Sequence, residues 1–241
     1  MSIGFLGSYT QLLAEMHAMV SAMPAARPVT PPPSPAASVS PSLDTYVPAP
    51  SRPVPAAPSL PDPSTYFISQ IKDRNFNPDA PSNNRNCGPA TLAMALRALG
   101  LRPPTLRNPN DTEAWVDAAR YAMEGDTDKS KYTDEDQMLN GAIASGAKAY
   151  KVTSLDEVAQ ALQQGQLVAL AGNPQSYENR LTNAQYNHFN GGHFILVTGV
   201  QGNTFTISDP QAHIPSITVS RDELRRYMAY QDWNVGVAIG R

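Results

Sequence analysis

Asn86-Cys87-Gly88-Pro89-Ala90-Thr91-Leu92-Ala93-Met94-Ala95-Leu96 organises everything else in this chain. Ala, Leu and Met crowd residues 91–99, and Gly100 followed by Pro103 supplies a stop signal. Pro89 suits the first turn of a helix, where its missing N–H leaves nothing unpaired. The pattern predicts a central, buried helix with Cys87 at its N-terminal tip. A thiol there feels the positive end of the helix dipole and unpaired backbone N–H groups, and both favour the nucleophilic thiolate. Cys87 is the single cysteine among 241 residues, which excludes an internal disulfide and any cysteine-rich zinc site.

Downstream, Trp115, Val116, Ala119 and Met123 recur at helical spacing and predict a helix over 111–123. Thr133-Asp134-Glu135-Asp136 and Ser154-Leu155-Asp156-Glu157 read as starts of two further helices, ending near Gly146 and Gly165. The periodicity then changes. Residues 167–171 form a short apolar strand, and 193–200 with 204–208 read as a hairpin turning at Gln201-Gly202-Asn203. A strand at 216–219, a helix at 222–230 and a closing strand at 235–239 complete the reading. Helices first and an antiparallel sheet second is an α+β pattern, with the Cys87 helix packed on the sheet.

Two of those strands carry further chemistry. His193 opens the strand 193–200 after Gly191-Gly192, and Asp209 follows the strand 204–208 in Ile207-Ser208-Asp209-Pro210. Adjacent antiparallel strands joined by a short turn bring the Asp209 carboxylate near His193, where it can orient the imidazole and stabilise its protonated form. His188 is the rival base, in the same loop; His17 and His213 compete poorly. A helix-tip thiol, a strand histidine and an orienting carboxylate are the parts of a nucleophilic thiol site.

Outside this region the chain changes character. Of its 23 prolines, 14 lie between Pro24 and Pro63, among Ala, Ser and Val. Such a stretch has little to bury, so residues 24–64 are expected to be a polyproline-rich linker. Its Pro-x-x-Pro runs at Pro28 and Pro50 offer a docking partner a grip, as does the segment before them. That segment, 1–23, has Leu12, Leu13, Met16, Met19 and Val20 on one broad face and reads as a short amphipathic helix. No Lys or Arg precedes Arg27, and Glu15 and His17 interrupt the apolar run, so a Sec signal is not expected. The compartment stays open between the cytoplasm and export by a non-Sec route. The globular domain is expected over 65–241. A net charge of −3 without a Lys/Arg cluster argues against a nucleic-acid footprint, and no segment is apolar and long enough to span a bilayer.

The motifs at 86–96, at Gly192-His193-Phe194-Ile195-Leu196-Val197-Thr198-Gly199 and at 207–210 resemble those of the double-glycine-type, bacteriocin-processing cysteine peptidases in free-standing form. The resemblance covers the domain from about residue 75 onward. It implies a papain-like fold of bacterial origin, a peptide or protein substrate, no cofactor and no metal. It also implies Cys87 as nucleophile, His193 as base and Asp209 as orienting residue. In that family a glutamine shortly upstream of the cysteine often completes the oxyanion hole. Here Pro81 stands six residues before Cys87, and the nearest upstream glutamine is Gln70. Asn83, Asn84 and Asn86 are candidates to donate instead, with Asn84 preferred. Two other readings stay open: a thiol acyltransferase or amidase using the same triad, and a catalytically impaired module that binds peptides without cutting them.

Overall fold

Capping residues and glycines set the element boundaries. The computed structural model describes residues 60–72, 85–174, 191–229 and 235–241. The chain divides into units Met1–Pro53 and Val54–Arg241, and all described residues belong to the second. The expected amphipathic segment at 1–23 lies outside them, as does the expected linker except for 60–64. Asp62 caps a short helix, α1 (Pro63–Tyr66), by accepting from the Ser64 N–H at 2.8 Å. A single 3-10 turn follows at Gln70–Lys72.

Helix α2 (Cys87–Leu99) ends at Gly100, whose φ of +66° is the left-handed cap that glycine adopts without strain. Helix α3 (Thr112–Glu124) is capped by Asp111, and α4 (Glu135–Ala144) by a capping box of Asp134 and Gln137. Strand β1 (Lys148–Val152) leads to α5 (Leu155–Gln163), capped by Ser154, and to β2 (Leu167–Gly172). After 175–190, outside the described residues, come β3 (His193–Gln201), β4 (Thr204–Ser208) and β5 (Ile217–Ser220). Helix α6 (Arg221–Met228) and β6 (Gly236–Gly240) finish the domain.

The six strands form one sheet in the order β1-β6-β2-β3-β4-β5, and every pairing is antiparallel. Strand alternation divides the core between its two faces. Leu167, Ala169, Ala171, Phe194 and Leu196 meet the layer that contains α2. Val168, Leu170, Ile195 and Val197 meet α5 and α6 on the other side. The fold is therefore α+β as expected, with helices covering both faces of the sheet. Helix α2 is buried almost all round, and its Thr91 hydroxyl donates to the Phe194 carbonyl at 3.2 Å. Burying side chains such as Leu92, Met94 and Leu96 stabilises by about 1.5–3 kcal/mol each. That anchorage holds the Cys87 tip against the start of β3.

Three elements escaped the sequence reading: α1, the 3-10 turn at Gln70–Lys72 and β1. Strand β1, Lys-Ala-Tyr-Lys-Val, lies at the sheet edge and buries only Val152. With two lysines and one inward apolar residue it has no alternating signal of its own; pairing with β6 makes it a strand.

Candidate active site

Cys87 is the first residue of α2 and is half-buried. His193 is the first residue of β3, opposite Gly172 of β2, and Asp209 is the first residue after β4. Because β3 and β4 pair antiparallel with Leu196 opposite Ser208, the two ionisable side chains converge. His193 Nε2 lies 2.7 Å from Asp209 Oδ1, and both side chains are fully buried. The same Oδ1 accepts from the Gln211 N–H at 2.7 Å, which fixes the carboxylate from behind. With Nε2 engaged there, Nδ1 is the ring nitrogen left to serve the sulfur.

Burial alone would keep His193 neutral. The charge of Asp209 and its hydrogen bond, followed by the bond and charge of Cys87, outweigh that and push the imidazole up to about 10. Burial likewise pushes the Cys87 thiol up, but it is held below its ordinary value. The hydrogen bond and charge of His193 do most of this, with backbone bonds from Phe194 and Gly88 adding to it. The two directions agree: each partner favours the charged form of the other, thiolate with imidazolium. The thiolate can attack an electrophilic carbon and the imidazolium can deliver a proton.

Three further residues shape the site. The Tyr227 hydroxyl, from α6, lies 2.6 Å from the His193 carbonyl and 3.2 Å from that of Leu170, bracing the start of β3 from below. Burial, then the charges of Asp209 and Cys87, raise the Tyr227 phenol well above its ordinary value, so it stays a neutral donor. Gly172 is glycine because Tyr227 covers it: a Cβ there would lie 2.3 Å from the Tyr227 carbonyl oxygen. Gly88 answers a similar need. A Cβ would lie 2.7 Å from Thr133 Cβ, so the space a side chain would take is filled by Thr133.

Of the residues singled out from sequence, Cys87, His193 and Asp209 come together. Asn83, Asn84 and His188 lie outside the described residues, and His213 is exposed. Asn86 is fully buried and its Oδ1 accepts from Arg120 Nη2 at 2.9 Å, so its carboxamide oxygen is turned toward α3. Gln70 was passed over on spacing, yet its N–H donates to the Pro210 carbonyl at 2.8 Å, beside Asp209. Its side chain is buried, and its Oε1 has no hydrogen-bond partner among the described residues. A polar carboxamide closing the run Tyr66-Phe67-Ile68-Ser69 was the signal available in the sequence. Among the described residues no group of three His, Cys, Asp or Glu could hold a metal ion, and no helix is long and apolar enough to cross a membrane.

The profile of the Peptidase_C39 like family matches residues 66–234. No curated protein matches the chain. Among solved structures the chain is similar to a candidate C39-like peptidase from Bacillus anthracis, at 15% identity and a TM-score of 0.50, covering 76% of this chain and 97% of that one. It is also similar to a double glycine motif protease from an AMS/PCAT transporter, solved with its leader peptide, at 15% identity and a TM-score of 0.44 over 78% of this chain and 96% of that one. A third is the peptidase domain of Streptococcus ComA, a bi-functional ABC transporter of a quorum sensing pathway. There the identity is 15% and the TM-score 0.40, over 65% of this chain and 91% of that one. The Bacillus anthracis protein shares the fold.

Proposed function

The chain belongs to the Peptidase_C39-like family, and from that premise we propose that it is a cysteine peptidase acting through Cys87, His193 and Asp209. The observation that carries this reading is the fully buried 2.7 Å His193–Asp209 pair next to a thiol held below its ordinary pKa at a helix tip. The Cys87 thiolate attacks the carbonyl carbon of a peptide bond, and the charge that develops on oxygen is met by backbone N–H groups at the start of α2. His193 then gives its proton to the leaving amine, the C–N bond breaks, and a thioester remains on Cys87. A water molecule, its proton taken by the now neutral imidazole, attacks the thioester and releases the new carboxylate with the thiolate regenerated. Asp209 stabilises the imidazolium throughout.

Gln70 is the side chain we assign to the oxyanion hole. Its carboxamide is buried beside the Asp209 turn, where its Nε2 would be the donor, and that placement supports the choice over the preferred Asn84. The test of the function is digestion of a peptide library followed by mass spectrometry of the products. New termini that disappear in Cys87→Ala are expected. A product spectrum identical for the two proteins would rule out peptidase activity in favour of a binding module.

A further inference from the structure

Two segments meet beside the Cys87 helix tip, and a buried side chain fastens them together. Arg120, on α3, is 1% exposed. Its Nη2 donates to the Arg85 carbonyl at 2.7 Å, and its Nη1 donates to the Lys131 carbonyl at 3.3 Å. Glu124, 2% exposed, accepts from the same Nη1 at 2.8 Å and from the Thr133 hydroxyl at 3.1 Å. Side chains of the two segments also meet. The Arg85 guanidinium lies 3.6 Å from the centre of the Tyr132 ring, and its Nη1 donates to the Ser130 carbonyl at 2.5 Å. A buried ion pair gains little net stability, because desolvation offsets the Coulomb attraction. This one fixes two backbone segments, so the Arg85–Tyr132 pair they carry is held in place before any ligand arrives.

Tyr132 is 68% exposed although Arg85 covers one face of its ring, so the opposite face lies open to solvent. Its neighbour Thr133 packs where a Gly88 side chain would stand. Arg85 precedes Cys87 by two residues, a span of at most about 7 Å, so both members of the pair sit at the nucleophile's end of α2. The open face differs from that of an ordinary tyrosine. A bare aromatic ring attracts cations through its quadrupole. Here a guanidinium already holds the other face, and a second cation would stand about 7 Å from it across the ring and be repelled. An aromatic or branched aliphatic side chain meets no such penalty and gains the contact area of the ring.

We propose that the Tyr132 ring, backed by Arg85, is a preformed subsite for an aromatic or branched aliphatic side chain of the peptide substrate, and that it disfavours lysine and arginine there. This rests on Cys87 being the nucleophile, as proposed above. An extended peptide carries a side chain about every 3.3 Å, so the selected residue lies within about three positions of the bond that Cys87 attacks. Tyr132 and Arg85 determine specificity; neither moves a proton or meets the developing charge. The lysines of the same loop are each matched by a carboxylate, Lys131 by Asp126 and Lys129 by Asp117 at 3.2 Å, which leaves Arg85 as the cation that sets the character of the ring.

The experiment is positional profiling: the full chain digests a randomised peptide library, and the products are sequenced by mass spectrometry for wild type, Tyr132→Phe, Tyr132→Ala and Arg85→Gln. In wild type, one position within about three residues of the cut is expected to be rich in aromatic and branched aliphatic residues and poor in lysine and arginine. Tyr132→Phe keeps that preference, and Tyr132→Ala weakens it by about tenfold at that position alone. Arg85→Gln keeps the apolar preference and raises acceptance of basic residues by about threefold or more, the effect of removing a like charge at about 7 Å. A merely structural role would lower all cleavage without reshaping the profile. A Tyr132→Ala profile matching wild type overturns the inference, as does an Arg85→Gln profile in which basic residues stay excluded. Retention of the same library on full-length Cys87→Ala, with and without Tyr132→Ala, separates the subsite from catalysis. A wild type that cuts nothing sinks the peptidase reading, yet loss of the aromatic and aliphatic binders in the double variant still supports the subsite, and equal retention overturns it.

Discussion

Gly88→Ala sets two known effects of opposite sign against each other. Inside a helix, exchanging glycine for alanine ordinarily stabilises by about 0.5–1 kcal/mol, because the unfolded chain loses less freedom. The new Cβ, however, would lie 2.7 Å from Thr133 Cβ and 2.8 Å from its Cγ2 and Oγ1. Carbon contacts are comfortable at about 3.5–4.0 Å, so Thr133 would have to retreat by most of an ångström. It is not at liberty to do so, since its hydroxyl is bonded to the buried Glu124 carboxylate. Overpacking of this kind costs about 1–3 kcal/mol. Losing a hydrogen bond to a charged group adds about 1.5–3 kcal/mol if the bond breaks fully. The clash outweighs the propensity, with a net destabilisation of about 2–4 kcal/mol. For a domain of this size the melting temperature should fall by about 4–16 °C. Thermal unfolding followed by circular dichroism measures it. A Gly88→Ala protein that melts at or above the wild-type temperature would refute the reasoning, because helix propensity alone would then account for the result.

Tyr227→Phe removes the donor nearest the His193 carbonyl and should destabilise by about 1–3 kcal/mol, the penalty for leaving a buried carbonyl unpaired; an unchanged denaturant midpoint would show that the bond is dispensable. Gln70→Ala is expected to lower kcat by about 100-fold or more with little change in KM, since an oxyanion donor acts in the transition state. Steady-state kinetics on a cleaved peptide decides this, and an unaltered kcat would remove Gln70 from the hole. The raised His193 pKa also makes stability depend on pH. Its contribution is fully present below the ordinary imidazole value of 6.5 and is lost as pH rises through about 10. Denaturation midpoints should therefore decline across that alkaline interval in wild type and lose this component in His193→Ala. Equal slopes in the two proteins would contradict the assignment.

The legible parts of this chain are those where local chemistry and tertiary role coincide. The small-residue run after Cys87, the capping pairs at Asp134 and Ser154 and the Gly202 turn each carry their structure within a few residues, and each stands where the sequence puts it. The convergence of His193 on Asp209 could be read because a hairpin converts sequence offset into distance. The hidden parts depend on long-range packing. Strand β1 has too few inward apolar residues to announce itself and exists through β6. Gln70 sits beside Asp209 because its backbone bonds Pro210 across the fold, which no count back from Cys87 reveals. Gly88 is glycine because Thr133, far along the chain, occupies the space a side chain would need, which nothing near Gly88 in the sequence signals. Tyr227, on a helix otherwise rich in charge, gave no hint that its hydroxyl reaches the start of β3.

The most direct test is whether Cys87 is an ion-paired thiolate at neutral pH. Rates of alkylation by iodoacetamide, measured as a function of pH in wild type and in His193→Ala, address that alone. The expected wild-type profile is a plateau of high reactivity reaching below about pH 7, collapsing in His193→Ala to the profile of an ordinary thiol near about 8.5. A wild-type titration already at that ordinary value, unmoved by His193→Ala, would contradict the thiolate–imidazolium pair and the peptidase mechanism built on it.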